Sequence, residues 1–218
     1  MGQALAQSVE AADDLVLAGV WGRGGSLTDV LASADVAIDF TLPEANAEIL
    51  AAVAEQGVPL VCGVSGLNAD QLAAMQSVAQ QVPIVFDRNM SQGVNILNDV
   101  VGRVAAALGD EFNVEIHETH HVHKLDSPSG TALKLAESIA AAKGWDAAEA
   151  NIKFEVERRG EVPGDHSVIL SSSTERISLS HSVTTRQVFV DGALRAARWI
   201  VGRPAAWYDM RDVLFADK

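Results

Sequence analysis

The sequence predicts an α/β protein in two parts: a parallel sheet covered by helices on both faces, followed by an α+β part with an open, mixed sheet. In the first half of the chain, short apolar runs alternate with longer amphipathic stretches, which is typical of strands alternating with helices. Beyond Gly93 several alternating runs follow one another, separated by turn residues, which favours mostly antiparallel pairing. With 218 residues and 48% hydrophobic content, the chain can bury the cores of two modest domains.

The first part begins with a predicted helix over residues 1–12. Four apolar runs are predicted strands, namely Leu15–Val20, Val36–Phe40, Val58–Cys62 and Pro83–Phe86. Three stretches between them are predicted helices, namely Ser26–Ser33, Pro43–Gln56 and Asn68–Gln80. Ser26 and Asn68 are suited to cap helix N-termini, and Pro43 fits a first helical turn. Because strands that alternate with helices pair in parallel, we expect helices on both faces of this sheet.

In the second part, Val94–Leu108 is a predicted helix that ends at Gly109, and Phe112–Glu118 is a predicted strand. Alternation places Phe112, Val114 and Ile116 on one face of this strand and Asn113, Glu115 and His117 on the other. The remaining predicted elements are a helix over Thr131–Lys143 that ends at Gly144, strands over Ile152–Arg159, His166–Ser173 and Arg176–Thr184, and a helix near Ala193–Val201. We therefore expect two domains, residues 1–92 and 93–186, with the segment 187–218 packing back on the first.

The charge balance narrows the classes of partner. The chain has 29 acidic and 16 basic residues, a formal net charge of -13, and no block of lysine or arginine, which argues against nucleic-acid binding. Its one cysteine, Cys62, can form no internal disulfide, which favours a reducing compartment. No apolar run approaches the ~20 residues of a membrane span, and the N-terminus lacks the pattern of a signal peptide. We expect a cytoplasmic protein with no membrane partner.

The segment Glu118–Ala132 holds most of the candidate chemistry. Three imidazoles and an ammonium, those of His120, His121, His123 and Lys124, directly precede a predicted helix start at Ser129-Gly130-Thr131. We expect His120 to Lys124 to form a turn that leaves the strand. An imidazole can transfer a proton, an ammonium can hold a charge, and the first N–H groups of a helix bind anions. The segment therefore predicts a pocket for a small anion with acid chemistry. The alternative is that Ser129 only caps the helix and the histidines are solvated.

A second pattern in this segment is H-E-x-x-H, formed by His117, Glu118 and His121. In zinc hydrolases both histidines of this motif lie on one face of a helix. Here the preceding residues alternate as a strand, and Pro128 follows too soon for a helix to continue far. We therefore expect no metal ion at these residues, and a zinc hydrolase stays the less favoured alternative.

Two loops in the first part follow predicted strands. Gly63–Gly66 follows the run that ends at Cys62, and Asp87–Ser91 follows the run that ends at Phe86. In open α/β sheets, ligands bind at the carboxyl ends of parallel strands. The two loops are therefore candidates for ligand contacts, although turn chemistry alone also explains such residues.

Written out as E-T-H-H-V-H-K-L-D-S-P-S-G-T-A, the segment Glu118–Ala132 resembles the signature of the dihydrodipicolinate reductase family of the diaminopimelate and lysine pathway. Supporting stretches in the expected order are Ile38–Glu44, Gly63–Gly66, Asn89–Asn95 and Tyr208–Leu214. The resemblance thus extends from Met1 to Leu214. It implies a Rossmann-like dinucleotide-binding domain and a substrate-binding domain, through whose sheet the family's enzymes form homotetramers.

The resemblance also implies an oxidoreductase that reduces 4-hydroxy-tetrahydrodipicolinate, a cyclic dicarboxylate, with NADPH or NADH. By resemblance, His120 is a proton donor or acceptor and Lys124 is a proton donor. Positions that hold the substrate carboxylates in the family match His121, Gly130 and Thr131. Positions that contact the cofactor match Gly63, Val64, Ser65, Asp87, Arg88, Asn89 and Met90.

The sequence departs from the family in two places. The family begins with a strand and a glycine-rich loop ending in G-R-M-G, whereas this sequence opens at Met1-Gly2. We therefore expect the first strand and most of the pyrophosphate-binding turn, about a dozen residues, to be absent. A non-catalytic dinucleotide-binding remnant of the enzyme is the resulting alternative. After Leu15–Val20 the chain offers Arg23 and no acidic residue, which suits the 2′-phosphate of NADPH better than the ribose hydroxyl of NADH.

Overall fold

The computed structural model describes residues 1–22, 25–146 and 150–215, and the chain divides into two compact units. The first unit comprises Met1–Ser91 and Gln187–Lys218, and the second comprises Gln92–Arg186. In chain order the elements are α1 (Gly2–Glu10), α2 (Leu27–Leu31), β1 (Ala37–Asp39), a 3-10 turn (Pro43–Ala45), α3 (Asn46–Gln56), β2 (Leu60–Cys62), α4 (Ala69–Val78), β3 (Ile84–Phe86), α5 (Gln92–Ala107), β4 (Asn113–His120), α6 (Gly130–Lys143), β5 (Ile152–Arg158), β6 (Asp165–Ser171), β7 (Arg176–His181), α7 (Gln187–Ile200), β8 (Trp207–Tyr208) and α8 (Met210–Phe215).

The first unit is built on a parallel sheet with the strand order β1-β2-β3-β8. Strand β2 is apolar on both faces, because Leu60, Val61 and Cys62 are all fully buried. Leu60 and Cys62 pack with the apolar side chains of α3 and α4, whereas Val61 packs with those of α1, α7 and α8. The predicted parallel sheet with helices on both faces is confirmed.

Local chemistry sets the helix ends of the first unit. The Ser26 hydroxyl accepts the Asp29 N–H at the start of α2. At the start of α4, the Asn68 side chain accepts the Gln71 N–H while the Gln71 side chain accepts the Asn68 N–H, a capping box. Helix α3 ends at Gly57, whose φ of 67° lies in the left-handed region that favours glycine. Both predicted N-caps are confirmed.

The predicted strand at Leu15–Val20 is wrong. Among the described residues this run pairs with no strand, and Val16 and Val20 are 91% and 65% exposed. Only Leu15 packs against the core formed by α1, α7 and α8. A strand needs a neighbour whose N–H and C=O groups pair with its own, and an apolar run does not supply one. Within the described chain, β1 pairs on its β2 side alone.

The second unit is a mixed sheet with the strand order β5-β4-β6-β7, covered on one face by α5 and α6. Strands β4 and β5 are parallel, and the other two pairs are antiparallel. Apolar residues of β4 and β6 meet those of the two helices in one core, with Val114, Ile116, Val168, Leu135 and Ile139 among its members. We call the helix-covered side of this sheet the inner face and the opposite side the outer face.

Strand β4 continues beyond its predicted end at Glu118 as far as His120. Its inner face carries Val114, Ile116, Glu118 and His120, all buried, while the alternate residues are partly exposed or exposed. His120 pairs with Arg158 of β5, so the expectation that a turn begins at His120 is wrong. The ladder continues because β5 and β6 flank β4 on both sides and pair with it up to His120 and Thr119, which the sequence of β4 alone does not reveal.

Helix α7 begins at Gln187, earlier than its predicted start near Ala193. Its buried face includes Val190, Gly192 and Ala193. A Cβ placed on Gly192 would collide with the main-chain carbonyl of Met90, so this close approach requires glycine. No helix in the described part of the chain is long and apolar enough to cross a membrane.

Candidate active site

A wholly buried carboxylate, that of Glu118, lies near the end of β4 on the inner face. Its oxygens Oε1 and Oε2 accept the Ser129 N–H at 3.0 and 3.2 Å. Ser129 is the N-cap of α6, and its own hydroxyl accepts the Ala132 N–H at 3.1 Å. The carboxylate therefore joins the end of β4 to the start of α6.

Two imidazoles flank this carboxylate. Nδ1 of His120 and Nε2 of His166 each lie 3.6 Å from Oε2 of Glu118, and the two ring centroids are 5.0 Å apart. Nε2 of His166 also lies 3.2 Å from the Ser129 hydroxyl oxygen. Position 166 pairs with position 118 across the antiparallel ladder of β4 and β6, which brings His166 to the cluster. We call Glu118, His120, His166 and Ser129 the inner cluster.

Burial and hydrogen bonding shift two pKa values in the inner cluster. Burial of Glu118 opposes its charged form, but hydrogen bonds from His166 and Ser129 outweigh burial and lower its pKa to about 2. Burial, with the nearby charge of His166, lowers the pKa of His120 to about 4 despite the attraction of Glu118. In this environment the His120 imidazole is neutral at neutral pH. It can donate a proton only after a further anion has raised its pKa.

The loop after β4 places an ammonium beside the inner cluster. Nζ of Lys124 lies 2.7 and 2.8 Å from the two carboxylate oxygens of Asp126. The Arg158 guanidinium holds the loop backbone, since its Nε donates to the Lys124 carbonyl at 3.3 Å and its Nη2 to the Asp126 carbonyl at 2.6 Å. Its Nη1 lies 3.7 Å from Oε1 of Glu118. Arg158 therefore links the buried carboxylate to the loop that carries Lys124.

The other predicted residues of this segment lie close by. His121 is half-buried directly after β4, with its ring 6.1 Å from that of the exposed His123. Gly130 and Thr131 form the first turn of α6. A Cβ built on Gly130 would meet nothing within 4 Å, so the backbone there is open to a ligand. The second unit thus brings His120, Lys124 and the start of α6 to one end of β4.

Sequence reasoning gave no role to His166 or Arg158, and it considered Glu118 only as a member of the H-E-x-x-H pattern. For His166 a signal existed, because alternation in β6 places it on the same face as Val168 and Leu170. A histidine on an apolar face is either a buried hydrogen-bonded residue or a functional one. Arg158 offered no such signal, since its role comes from the loop that folds against it.

The H-E-x-x-H residues do not lie on a helix, as expected. His117 is on the outer face of β4, with Nε2 3.2 Å from Glu115 and 3.3 Å from Glu155, whereas Glu118 is on the inner face. Neighbouring residues of a strand point to opposite faces, so the motif cannot assemble around one ion. In the described chain, two groups have ligand atoms within 4.8 Å of one another, namely Glu118, His120 and His166, and Glu115, His117 and Glu155.

The loop after β2 lies at the carboxyl end of the parallel sheet of the first unit. The Gly63 N–H donates to the Asp39 carbonyl at 2.9 Å. A Cβ on Gly63 would lie 2.5 Å from the Phe40 ring, so the loop requires glycine at this position. Val64 is buried and Ser65 is exposed.

The loop after β3 lies at the same end of the sheet, and its own side chains hold it. The buried Asp87 carboxylate accepts the Asn89 N–H at 3.1 Å, and the Asn89 side chain accepts the Ser91 N–H at 2.9 Å. Arg88 is exposed and Met90 is buried. The remaining predicted cofactor residue, Arg23, lies outside the described residues.

The fold defines a class of two-domain proteins, with a Rossmann-like parallel sheet in one domain and a mixed sheet in the other, to which solved reductase and dehydrogenase structures also belong. The chain superposes on a dipicolinate-bound dihydrodipicolinate reductase from Paenisporosarcina sp. TG-14 with a TM-score of 0.77, at 20% identity, covering 95% of this chain and 92% of that one. A probable dehydrogenase from Thermotoga maritima superposes with a TM-score of 0.60, at 12% identity, covering 98% of this chain and 90% of that one. These likenesses confirm the predicted fold class.

Sequence comparison identifies the family to which the chain belongs. The models of the dihydrodipicolinate reductase N-terminus and C-terminus match residues 1–90 and 93–214. The 4-hydroxy-tetrahydrodipicolinate reductase of Pseudoalteromonas translucida is 41% identical, with 84% of this chain and 74% of the relative covered. That of Thiobacillus denitrificans is 38% identical, with 98% of this chain and 94% of the relative covered. The chain belongs to the dihydrodipicolinate reductase family, as the resemblance indicated.

Proposed function

We propose that the chain reduces 4-hydroxy-tetrahydrodipicolinate to tetrahydrodipicolinate, a reaction that consumes a reduced nicotinamide dinucleotide and a proton and releases the oxidised dinucleotide and, from the 4-hydroxyl group, water. The observation that carries the proposal is the buried His120 beside Glu118, with Lys124 and the start of α6 at the same end of β4, in a chain of this family. A proton carrier, a cation and helix N–H groups are the parts that acid-assisted reduction of a dicarboxylate needs.

The substrate's carboxylates are proposed to bind at His121, Lys124 and the main-chain N–H groups of Gly130 and Thr131. The open space over Gly130 supports this, because a carboxylate can approach the backbone there. The position of Lys124 also supports it, since its ammonium pairs with an exposed carboxylate, that of Asp126, which an incoming anion can displace.

His120 is proposed to carry the proton that accompanies hydride addition. The positive charges of Lys124 and Arg158 contribute to the lowered pKa of His120, so the arrival of two substrate carboxylates raises this pKa toward neutrality. Substrate binding therefore charges the group that the reaction requires as an acid. Lys124 is the second proposed proton donor, and in this account it also holds a substrate carboxylate.

The cofactor is proposed to bind the first unit through Gly63, Val64 and Ser65 and through Asp87, Arg88, Asn89 and Met90. Both loops follow parallel strands and lie at the carboxyl end of the sheet, where open α/β sheets bind ligands, and this position supports the proposal. A reduced nicotinamide, when bound, supplies the hydride. We further propose NADPH in preference to NADH, on the strength of Arg23 in the sequence.

The oligomer is proposed to be a homotetramer joined through the outer face of the second unit's sheet. This face carries Glu115, His117 and Glu155, whose side chains stay 33%, 35% and 49% exposed. A partly exposed, ion-paired sheet face is compatible with burial against another copy. Sedimentation equilibrium of the purified chain tests the stoichiometry directly.

The activity is tested by following loss of reduced-nicotinamide absorbance with substrate and either NADPH or NADH. We expect oxidation with both and a lower KM for NADPH. Replacement of His120 by Gln should remove most of the turnover while leaving the fold intact. Cofactor binding without oxidation would instead identify a non-catalytic remnant, and stoichiometric zinc with hydrolytic activity would identify a zinc hydrolase. A clearly lower KM for NADH would overturn the cofactor preference alone.

A further inference from the structure

The partners of the Glu118 carboxylate lie on four different elements. It contacts the N–H of Ser129 at the start of α6, His120 on its own strand, His166 on β6 and Arg158 on β5. A buried charge is costly, and a well-packed apolar residue commonly stabilises a core as well or better. A wholly buried, ionised glutamate that follows the apolar Val114 and Ile116 on the inner face of β4 therefore indicates a role in arranging its partners.

We propose that Glu118 is the positioning residue of this site: its carboxylate fixes the orientation of His120 and, through Arg158, the loop that carries Lys124. This inference rests on the proposed reductase activity and adds two residues to it. Neither Glu118 nor Arg158 is proposed to touch the substrate. They act through His120 and Lys124.

The first contact determines which nitrogen of His120 handles the proton. Nδ1 of His120 is buried, has no hydrogen-bond partner in the described chain, and faces Oε2 of Glu118 at 3.6 Å. A carboxylate in this position favours the proton on Nδ1, so Nε2 is the nitrogen that exchanges a proton with substrate. Nε2 lies on the side of Gly164, where a Cβ would come within 3.0 Å of it.

The second contact passes from Glu118 to the loop. The Arg158 guanidinium is planar and rigid, and it donates to the carbonyls of Lys124 and Asp126 while facing Oε1 of Glu118 at 3.7 Å. A lysine at position 158 could keep the charge but could not hold both carbonyls and the carboxylate in one geometry. The guanidinium therefore transmits the position of the buried carboxylate to the backbone of Lys124.

The third contact lies at the start of α6. Glu118 accepts the Ser129 N–H, and the Ser129 hydroxyl accepts the Ala132 N–H, so the first turn of the helix is held at both ends. The proposed carboxylate-binding residues Gly130 and Thr131 lie between these two bonds. The Glu118 carboxylate thereby fixes the position of the start of α6 relative to His120, the proposed proton carrier.

The charges that face His120 allow a test by pH. They are Glu118 on β4, His166 on β6, Arg158 on β5 and Lys124 on the loop. Glu118 is the one anion among them, so it favours the charged imidazole while the others oppose it. Because donation requires the charged imidazole, turnover falls as the pH rises through the pKa of His120 in the substrate complex.

The experiment compares wild type with Glu118→Gln in the full chain, using kcat, KM and the pH profile of kcat. Gln keeps the size and the acceptor for the Ser129 N–H but removes the charge. We expect kcat to fall at least about 10-fold, less than the 10²- to 10⁴-fold cost of losing the acid–base group itself. The falling limb of the profile should move about 1 unit to lower pH.

A matched control is Glu161→Gln, because Glu161 pairs with His123 at 3.5 Å while both side chains are largely exposed. It should change neither kcat nor the pH profile. A second variant, Arg158→Lys, should raise the KM for substrate about 10-fold through the displaced Lys124, with little movement of the pH limb. Arg158 is part-exposed, so this variant decides the question even if Glu118→Gln does not fold.

The outcomes separate the two proposals. An inactive wild-type chain contradicts the reductase assignment. An active wild type with a Glu118→Gln variant that is only less stable, with kcat and pH profile unchanged, overturns the positioning role and leaves the reductase assignment standing. A normal KM in Arg158→Lys overturns the link to Lys124.

Discussion

Strand β4 carries a glutamate–histidine group on each of its faces, and the two groups differ mainly in burial. On the outer face, His117 lies 3.2 Å from Glu115 and both side chains are about one-third exposed. On the inner face, His120 lies 3.6 Å from Glu118, and the two side chains are 8% and 0% exposed. The outer pair is thus the closer of the two in distance, whereas the inner pair is removed from water, and there the pKa of Glu118 is lowered to about 2 and that of His120 to about 4. Burial lowers the pKa of His120, and hydrogen bonds from His166 and Ser129 lower that of Glu118 against the effect of burial, so burial together with hydrogen bonding distinguishes the inner pair.

The comparison also explains why the H-E-x-x-H pattern misleads. Residues 117 and 118 are adjacent in sequence and belong to different groups on opposite faces of one strand. If these residues were helical, the pattern would predict one site. On a strand, its residues belong to a surface ion pair on one face and to a buried cluster on the other. Each of the following experiments compares a change on the inner face with a matched change elsewhere.

The largest difference is expected between His120→Gln and His117→Gln. Loss of the inner imidazole should lower kcat by about 10²- to 10⁴-fold, because it removes the proposed proton carrier. Loss of the outer imidazole should leave kcat close to wild type, since its partners are solvated. Steady-state kinetics of the two variants, with circular dichroism to verify folding, measure the difference. A similar loss of kcat in both variants would contradict the proposal that only the inner face takes part in catalysis.

A smaller effect is expected at Gly164, whose φ of 153° favours glycine and whose Cβ would lie 3.0 Å from Nε2 of His120. We expect Gly164→Ala to lower kcat about 10-fold by crowding the nitrogen that exchanges the proton. Gly160→Ala is the control, because Gly160 also has a positive φ, 49°, but its Cβ would meet nothing within 4 Å. Both variants should lose some stability from backbone strain, of order 1 kcal/mol. Equal kcat values for the two would show that the contact with His120 is unimportant.

Stability should depend on pH through the inner cluster. The pKa of His120 is lowered from 6.5 to about 4, so its neutral form stabilises the fold above pH 6.5 and this contribution is lost as the pH falls toward 4. The pKa of Glu118 is lowered from 4.5 to about 2, so its contribution is present above pH 4.5 and is lost as the pH falls toward 2. Urea unfolding over this range should show a loss on the order of 2 kcal/mol between pH 6.5 and 4.

Two variants test whether His120 causes this loss of stability between pH 6.5 and 4. His120→Gln should flatten the curve between pH 6.5 and 4, whereas His117→Gln should leave its slope as in wild type. A wild-type curve that is flat in this window, or one that His120→Gln does not change, would mean that the inner imidazole is not held in its neutral form.

The smallest effect is expected for Glu115→Gln on the outer face. Its partner His117 is part-exposed and its partner Lys153 is exposed, so the ion pairs are screened and contribute little. The free energy of unfolding, measured by urea at low salt, should change slightly, and the change should disappear at high salt. A large and salt-independent loss would show that the outer group is as important to the fold as the inner one.

The sequence predicts most of this fold because its signals are local. Alternating burial along β4 and the caps at Ser26 and Asn68 follow from the residues themselves. The strand prediction at Leu15–Val20 is wrong because strand formation depends on a neighbouring strand, which an apolar run does not reveal.

The candidate site is predictable to a similar extent. His120, Lys124 and the start of α6 come from one continuous segment and are recognised together. His166 and Arg158 come from other strands, and their proximity to Glu118 depends on the register of the sheet. The burial of Glu118 was missed because the predicted strand ended there, although one further step of the alternation would have placed its side chain inside.

The central claim, that the inner imidazole is neutral until a dicarboxylate binds, is tested by NMR titration of the histidine side chains. Pyridine-2,6-dicarboxylate serves as the non-reacting dicarboxylate. We predict that His120 titrates near pH 4 alone and at least about 1 unit higher with the dicarboxylate. The resonances of His117 should not respond to it. Titration of His120 near pH 6.5 that does not move when the dicarboxylate is added would contradict the account.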